Sequence, residues 1–228
     1  MINLLKAQYY KLLHKQSFWG LLVFSLGLGS VLLLDSRNTT ADLLKGSLYN
    51  LPQLYFIPII FTALYVGEDF ENRTISCLVS AGQRRGSILF STALSCLTAG
   101  TALYGLPLLF HYMAGVMLGQ NPSLPFDALL LTLAAILAMG MLPLLFVFLF
   151  RDTGKAFAVP MVIFFLMIFV LNSSYAPAAG ILLPIGQLRL LSLDELTRPI
   201  WLLLVIDFFW IMLSYLIAYR CFCRTDLK

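Results

Sequence analysis

Long apolar runs separated by short polar segments make up most of the chain. Each run is long enough, or nearly so, to cross a ~30 Å hydrocarbon layer as a helix that rises ~1.5 Å per residue. The pattern predicts spans at residues 17–34, 51–66, 88–111, 128–150, 156–171 and 200–219. We therefore expect an all-α integral membrane protein with six transmembrane helices.

The segment that precedes the first run, residues 1–16, is amphipathic. One helical face carries Ile2, Leu5, Tyr9, Leu12 and Leu13, and the lysines fall on or toward the other. This pattern is typical of a helix that lies in the membrane interface. A signal peptide is the alternative interpretation of residues 17–34, but no A-x-A-like cleavage site follows them, which favours a retained span.

Proline and glycine mark the irregular parts of the pattern. Pro52 and Pro58 interrupt the second run, and Pro107 predicts a kink or a broken outer end in the third. Residues 172–199 mix prolines and glycines with leucines and charges, which predicts a re-entrant or half-inserted outer segment. A polar tail, residues 220–228, follows the last run.

The distribution of lysine and arginine predicts the orientation, because short cytoplasmic segments carry an excess of them. With the amino terminus inside, eleven of the 15 basic residues fall on inner segments: Lys6, Lys11, Lys15, Arg73, Arg84, Arg85, Arg151, Lys155, Arg220, Arg224 and Lys228. The outer segments hold Arg37, Lys45, Arg189 and Arg198. We therefore expect both termini in the cytoplasm.

Composition supports a lipid environment and excludes several functions. The 228 residues are 60% hydrophobic and 11% charged, whereas soluble domains are about 25% charged. The net charge of +4 forms no continuous basic face, which argues against a nucleic-acid partner. The sequence contains no nucleophile–histidine–acid set, no metal-ligand spacing and no phosphate-binding G-x-x-x-x-G-K-[ST] loop. We expect no catalytic residue, metal or cofactor in this chain.

The one substantial inner segment, residues 67–87, has the composition of a short amphipathic helix. Acidic Glu68, Asp69 and Glu71 stand at its start, where the helix dipole favours negative charge, and Gly82 can end it. A helix over residues 69–81 is predicted. From these residues alone, an interfacial loop that only satisfies the topology rules is as good an interpretation as a docking element.

The same segment carries a family resemblance. It resembles the cytoplasmic segment after the second helix of ABC-2 type transporter permeases in these residues: Glu71, Thr74, Ile75, Leu78, Ser80, Ala81, Gly82, Arg84 and Arg85. The opening MINLLKAQYYKLLHKQSFWGLL is similar to that of small bacterial members, including permeases of bacteriocin and lantibiotic immunity exporters. Arg73 stands where many members have glycine, and Ser91 stands where many have lysine.

The resemblance implies a division of labour between subunits. This chain would form a translocation pathway with a second permease, identical or homologous, in a bacterial cell membrane. Two copies of a separate ATPase would bind ATP and Mg and drive export of antimicrobial peptides or other amphipathic molecules. The residues implied in coupling to that ATPase are Asp69, Phe70, Glu71, Arg73, Thr74, Ile75, Leu78, Arg84 and Arg85.

Two ionisable residues near or within predicted spans are candidates for a polar site. Asp207 is the only carboxylate inside a span, where it has either a role in the pathway or a structural hydrogen bond across helices. His111 stands near the outer end of the third span, where an interfacial position is favoured over a pathway role. A single-chain secondary transporter, an intramembrane enzyme and an anchoring subunit remain alternative functions.

Overall fold

The computed structural model describes residues 2–36, 42–121 and 124–224, and within them it contains helices and turns but no strand. Arg37, Lys228 and the rest of the tail after residue 224 lie outside the described residues. The α-helices are α1 (Ile2–His14), α2 (Gln16–Ser36), α3 (Leu43–Asn50), α4 (Phe56–Thr62), α5 (Glu68–Glu71), α6 (Thr74–Ser80), α7 (Arg85–Met117), α8 (Phe126–Phe150), α9 (Thr153–Leu171), α10 (Ala176–Leu182), α11 (Pro184–Ser192) and α12 (Ile200–Arg224). The all-α prediction is confirmed.

Five helices in the described parts of the chain are long and apolar enough to cross a membrane: α2, α7, α8, α9 and α12. A sixth is obtained if α3 and the helical stretch Gln53–Glu71 count as one broken span, with a bend of 52° between them. The predicted second span thus corresponds to the longer arm of a bent pair, and the bend lies beside Pro52. That arm contains a π-helical turn, Ala63–Gly67, between α4 and α5.

The third span is longer than predicted. Helix α7 has 33 residues and passes through Pro107 without a break, whereas the sequence predicts a kink or a broken end. Proline lacks the N–H that would bond the carbonyl four residues earlier. Here the Ser25 hydroxyl of α2 donates to that carbonyl, Leu103 O, at 2.7 Å. The neighbouring helix therefore supplies the missing donor, and α7 continues to Met117.

The same arrangement recurs at Pro143 in α8. The carbonyl that this proline leaves without a partner belongs to Met139, and it accepts a hydrogen bond from the Tyr55 hydroxyl at 2.8 Å. In an apolar interior an unpaired carbonyl is costly, so such a bond fixes the two helices against each other. Helix α8 is central in the bundle: α4, α7, α9, α11 and α12 all pack against it.

Helices α10 and α11 form a hairpin between the end of α9 and the start of α12. The indole nitrogen of Trp210 donates to Leu182 O, at the corner of the hairpin, at 3.0 Å. Trp210 is ten residues after the first residue of α12, so the corner lies about 15 Å along that helix. The two arms touch closely, since a Cβ added at Gly186 would lie 2.5 Å from the α-carbon of Gly180.

Helix α1 uses only part of the predicted apolar face for packing: Leu12 is buried and Tyr9 is half-buried against the core. Its buried residues are Leu4, Gln8 and Leu12, whereas Ile2 and Leu13 are exposed. Gln8 is held by the Tyr65 hydroxyl, which donates to its main-chain and side-chain oxygens at 2.8 and 2.9 Å. The apolar side chains of α1 are therefore divided between the bundle and an open side.

Candidate functional site

One end of the bundle brings together α1, α5, α6, the turn between α8 and α9, and the last turns of α12; we call it the basal end. The predicted single helix over residues 69–81 is divided here into α5 and α6. Arg73 separates them in a left-handed conformation with φ 56°, while Asn72 N–H and Arg73 N–H close the end of α5. Asparagine is a poor helix-interior residue, and a left-handed residue ends a helix. The prediction of one continuous helix is therefore wrong.

Ion pairs attach α5 to α1 and to Lys15, the residue between α1 and α2. Lys11 Nζ lies 2.6 Å from Asp69 Oδ1, and Lys15 Nζ lies 2.7 Å from Glu68 Oε2. Both ammonium groups also donate to main-chain carbonyls of the π turn, Lys11 to Tyr65 O at 3.0 Å and Lys15 to Leu64 O at 2.9 Å. Asp69 is buried, so this pair is screened less than a surface pair. The first turn of the segment is thus joined to α1 and to the residue that follows it.

Phe70 connects the segment to α8 and α12. Its ring packs edge-on against Phe148 at 5.3 Å and against Phe222 at 6.5 Å between centroids, and the latter two rings are 5.2 Å apart. Phe148 and Phe222 are fully buried. Edge-to-face aromatic pairs add about 0.5–1.5 kcal/mol to their burial. Phe70, which the family resemblance implies as a coupling residue, therefore faces the bundle.

Glu71 and Gly67 connect the segment to the start of α9. Glu71 Oε1 accepts a hydrogen bond from Thr153 N–H at 3.2 Å, at a helix N-terminus that favours negative charge. The backbone of Gly67 lies so close to this turn that an added Cβ would be 2.6 Å from Thr153 Oγ1. The glycine permits the close approach. Glu71 is exposed, yet one of its oxygens is already used inside the chain.

Two arginines bind the C-terminal end of α12. Arg85 donates to Phe222 O at 2.8 Å and Cys223 O at 2.9 Å, and Arg151 donates to Cys221 O at 3.2 Å. Cations are favoured at this end of a helix dipole. Burial lowers the pKa of the Arg151 guanidinium, which nevertheless stays protonated at neutral pH.

The outer face of the segment consists of other residues. Arg73, Thr74 and Arg84 are exposed at the break and after α6, whereas Ile75 is buried and Leu78 is half-buried against the bundle. The nine residues implied in coupling thus fall into an inner set that contacts the bundle and an outer set that a partner can reach. The inner partners Thr153, Phe148 and Phe222 carry no signal in the sequence, because they are distant in the chain.

His111 and Asp207 lie in separate places. His111 is 3% exposed, so its ring is buried between helices. Its Nε2 is 3.0 Å from Ser30 Oγ of α2 and its Nδ1 is 2.9 Å from Ser47 Oγ of α3, because α3 folds over the ring. Asp207 is 0% exposed, in the part of α12 that packs against α8 and α11.

Within residues 2–36, 42–121 and 124–224, no three His, Cys, Asp or Glu side chains come together as a metal site requires. No family model matches the chain, and no curated protein matches it. A functional assignment therefore depends on the geometry of the basal end and on the resemblance of its residues.

Proposed function

We propose that this chain is the membrane-spanning permease subunit of an ATP-driven exporter of the ABC-2 type. Two such permeases would form the pathway across a bacterial cell membrane with six spans each, counting the bent pair. The basal end would face the cytoplasm and carry both termini. A separate ATPase in two copies would bind ATP and Mg, and the cargo would be antimicrobial peptides or other amphipathic molecules.

The observation that carries the proposal is the α5–α6 break at the basal end. Arg73 and Thr74 project there, while the residues just before them are joined to α1, α8, α9 and α12 by ion pairs, ring contacts and a hydrogen bond. A force on the exposed break would therefore reach four helices directly. A loop that only satisfied the topology rules would need none of these attachments.

The contacts give each group a distinct role in the proposed mechanism. Arg73, Thr74 and Arg84 would bind a groove of the ATPase. Closure of the two ATPase subunits on ATP would push α6, and the Lys11–Asp69 pair and the Phe70 rings would transmit the displacement to the spans. The pathway between the two permeases would then change from inward-facing to outward-facing.

The test is co-expression with an ATPase encoded beside this chain, followed by co-purification and by assay of permease-dependent ATPase activity. Arg73→Glu with Arg84→Glu is expected to reduce the recovered complex at least about tenfold, which corresponds to about 1.4 kcal/mol or more. Lys6→Glu is the matched control, because Lys6 is an exposed base on α1 outside the segment. Phe70→Ala is expected to keep the complex and lose stimulation of the ATPase. A folded chain that binds no ATPase would contradict the proposal.

A single-chain secondary transporter is the second candidate, and two observations favour it. The second span is bent by 52°, and the α10–α11 hairpin enters the bundle, as in transporters with broken helices. Proteoliposomes that contain only this chain distinguish the two functions. Gradient-driven flux without an ATPase would support the second candidate, whereas flux that requires the ATPase and ATP would support the first.

A further inference from the structure

Two fully buried polar side chains meet where the α10–α11 hairpin packs against α12. Asp207 of α12 and Gln187 of α11 are both 0% exposed. The Gln187 amide nitrogen donates to Ile181 O at 3.1 Å. Gln187 lies beside the Asp207 carboxyl, yet both carboxyl oxygens and Gln187 Oε1 have no hydrogen-bond partner among the described residues. Three acceptor oxygens are therefore left without a donor.

The pair lies deep in the bundle. Asp207 is seven residues after the first residue of α12, so it is about 10 Å along the helix, and Trp210, one turn further, contacts the hairpin corner. Buried polar groups are normally hydrogen-bonded, and each exception requires an explanation. An unpaired carboxylate in a membrane interior is especially costly.

No cation among the described residues compensates for a negative charge at this position. Helices α7, α8, α10 and α11 pack against α12. Their charged or titratable side chains in the described residues are Arg85, Cys96, Tyr104, His111 and Tyr112 on α7, Asp127 on α8 and Arg189 on α11. Helix α12 itself adds Tyr215, Tyr219, Arg220, Cys221, Cys223 and Arg224, and α5, which contacts α12 through Phe70, adds Glu68, Asp69 and Glu71. None of these is a hydrogen-bond or ion-pair partner of the Asp207 carboxyl. Arg189 instead donates to Leu171 O, at the end of α9.

Binding of one proton would supply a hydrogen-bond donor at this place. A carboxylate is an acceptor only, whereas a carboxylic acid has one O–H donor. The proton would bind one Asp207 oxygen, and its O–H would donate to Gln187 Oε1. Two of the three orphaned oxygens would then be paired, and no net charge would remain in the bundle.

We propose that Asp207 and Gln187 form a proton-binding site, and that the bound proton holds the α10–α11 hairpin in the bundle. Release transfers the proton to water and leaves an unpaired carboxylate in the bundle. The hairpin then loses the bond from Asp207 to Gln187, keeps the Trp210 bond at its corner, and moves away from α12. The site does not depend on the proposed ATPase, and its failure would leave that function untouched.

Infrared spectroscopy of the full chain in lipid nanodiscs tests the protonation directly. At about pH 7 ordinary carboxyls are ionised, so a carboxylic-acid C=O band is expected in the wild type and not in Asp207→Asn. In Gln187→Leu the band is expected to persist and shift to higher frequency, because its hydrogen bond is lost. A missing wild-type band would overturn the proposal. So would a band whose frequency is the same in Gln187→Leu as in the wild type.

Cysteine labelling tests the coupling to the hairpin. Ile185, beside the corner, is buried, and Ile185→Cys reports its opening. Its maleimide labelling rate, divided by that of exposed Cys77, is expected to rise about tenfold or more from about pH 6 to about pH 9, well above an ordinary carboxyl pKa. The ratio should stay flat in Asp207→Asn. Buried Cys96 of α7 is the internal control and should remain protected throughout.

Two outcomes would contradict the coupling of the bound proton to the hairpin, and a third would overturn the proton site itself. The hairpin role is contradicted if the labelling ratio of Ile185→Cys is independent of pH when Asp207 is present. It is also contradicted if Cys96 becomes labelled together with Ile185→Cys, since labelling of both would indicate general unfolding. If Na⁺, added in place of choline at constant pH, protects Ile185→Cys and removes the acid band, the site binds a metal cation and the proton proposal is overturned.

Discussion

Tyr55 donates its hydroxyl to the carbonyl oxygen of Met139 at 2.8 Å, and Met139 stands four residues before Pro143. The proline removes the helix's own donor, so Tyr55→Phe would leave the carbonyl unpaired in an apolar interior. We expect the free energy of unfolding to fall by about 1–2 kcal/mol. Thermal or denaturant unfolding in detergent micelles measures the change.

Pro143→Ala provides the control for this prediction. The alanine amide at position 143 can donate to Met139 O, so Tyr55→Phe in that background is expected to cost much less than in the wild type. An equal cost in the two backgrounds would show that the hydroxyl does not serve the carbonyl of Met139.

Gly67 is expected to tolerate no side chain. An added Cβ would lie 2.6 Å from Thr153 Oγ1 and 3.1 Å from the α-carbon of Thr153, so Gly67→Ala must push α5 away from α9. We expect a loss of about 1–3 kcal/mol in unfolding free energy. Thr153→Ala should recover part of it, because the clash with Oγ1 is removed while the close approach to the main chain remains.

Gly20→Ala is the matched control, since nothing lies within 4 Å of its added Cβ. It should leave the melting temperature unchanged or raise it slightly, as a helix-interior glycine is less favourable than alanine. A loss at position 20 equal to that at position 67 would mean that the close approach to Thr153 is not the cause.

Arg73→Gly is expected to stabilise the chain by about 0.5–1 kcal/mol. Arg73 has φ 56°, a left-handed conformation that glycine adopts without strain, and its side chain is exposed. Arg151 has nearly the same φ, 55°, but its guanidinium donates to Cys221 O. Arg151→Gly should therefore be neutral or destabilising. Melting temperatures of the two variants test the prediction. It is contradicted if both variants raise the melting temperature or both lower it.

Cys77 tests the orientation of the basal end. It is exposed on α6, so a membrane-impermeant maleimide should modify it in inverted vesicles and not in intact cells. Exposed Cys223 near the end of α12 must first be replaced by serine, since it lies at the same end. Modification from outside intact cells would place the basal end on the outer side and exclude a cytosolic partner at this segment.

The sequence predicts much of the fold because apolar runs of this length have few alternatives to a membrane helix. It fails where partners distant in the chain decide the outcome. Pro107 predicts a break in α7, but Ser25, on another helix, supplies the missing donor. The contact of His111 with Ser47 of α3 is likewise not foreseen from the sequence. These hydroxyls are polar residues in or beside apolar runs, which is the only signal that the sequence offers.

The candidate site is predicted only in part for the same reason. The segment after the second span is visible in its charges, but its division at Arg73 is not. The contacts of the residues just before the turn, Glu71 with α9 and Phe70 with α8 and α12, are to residues distant in the chain. The one local hint of the turn is that Arg73 stands where many members of the resembled family have glycine. Gln187, between Gly186 and Leu188, gives no local sign that it lies beside Asp207.

The π turn Ala63–Gly67 determines which way the whole basal segment points. Such a turn contains one residue more than an α-helical path would, and each residue corresponds to about 100° of rotation around the axis. Removing a single residue there would swing Asp69 and Phe70 away from Lys11 and Phe148 together. The length of the chain between Thr62 and Glu68 is therefore under as strict a constraint as the identity of any side chain that follows it.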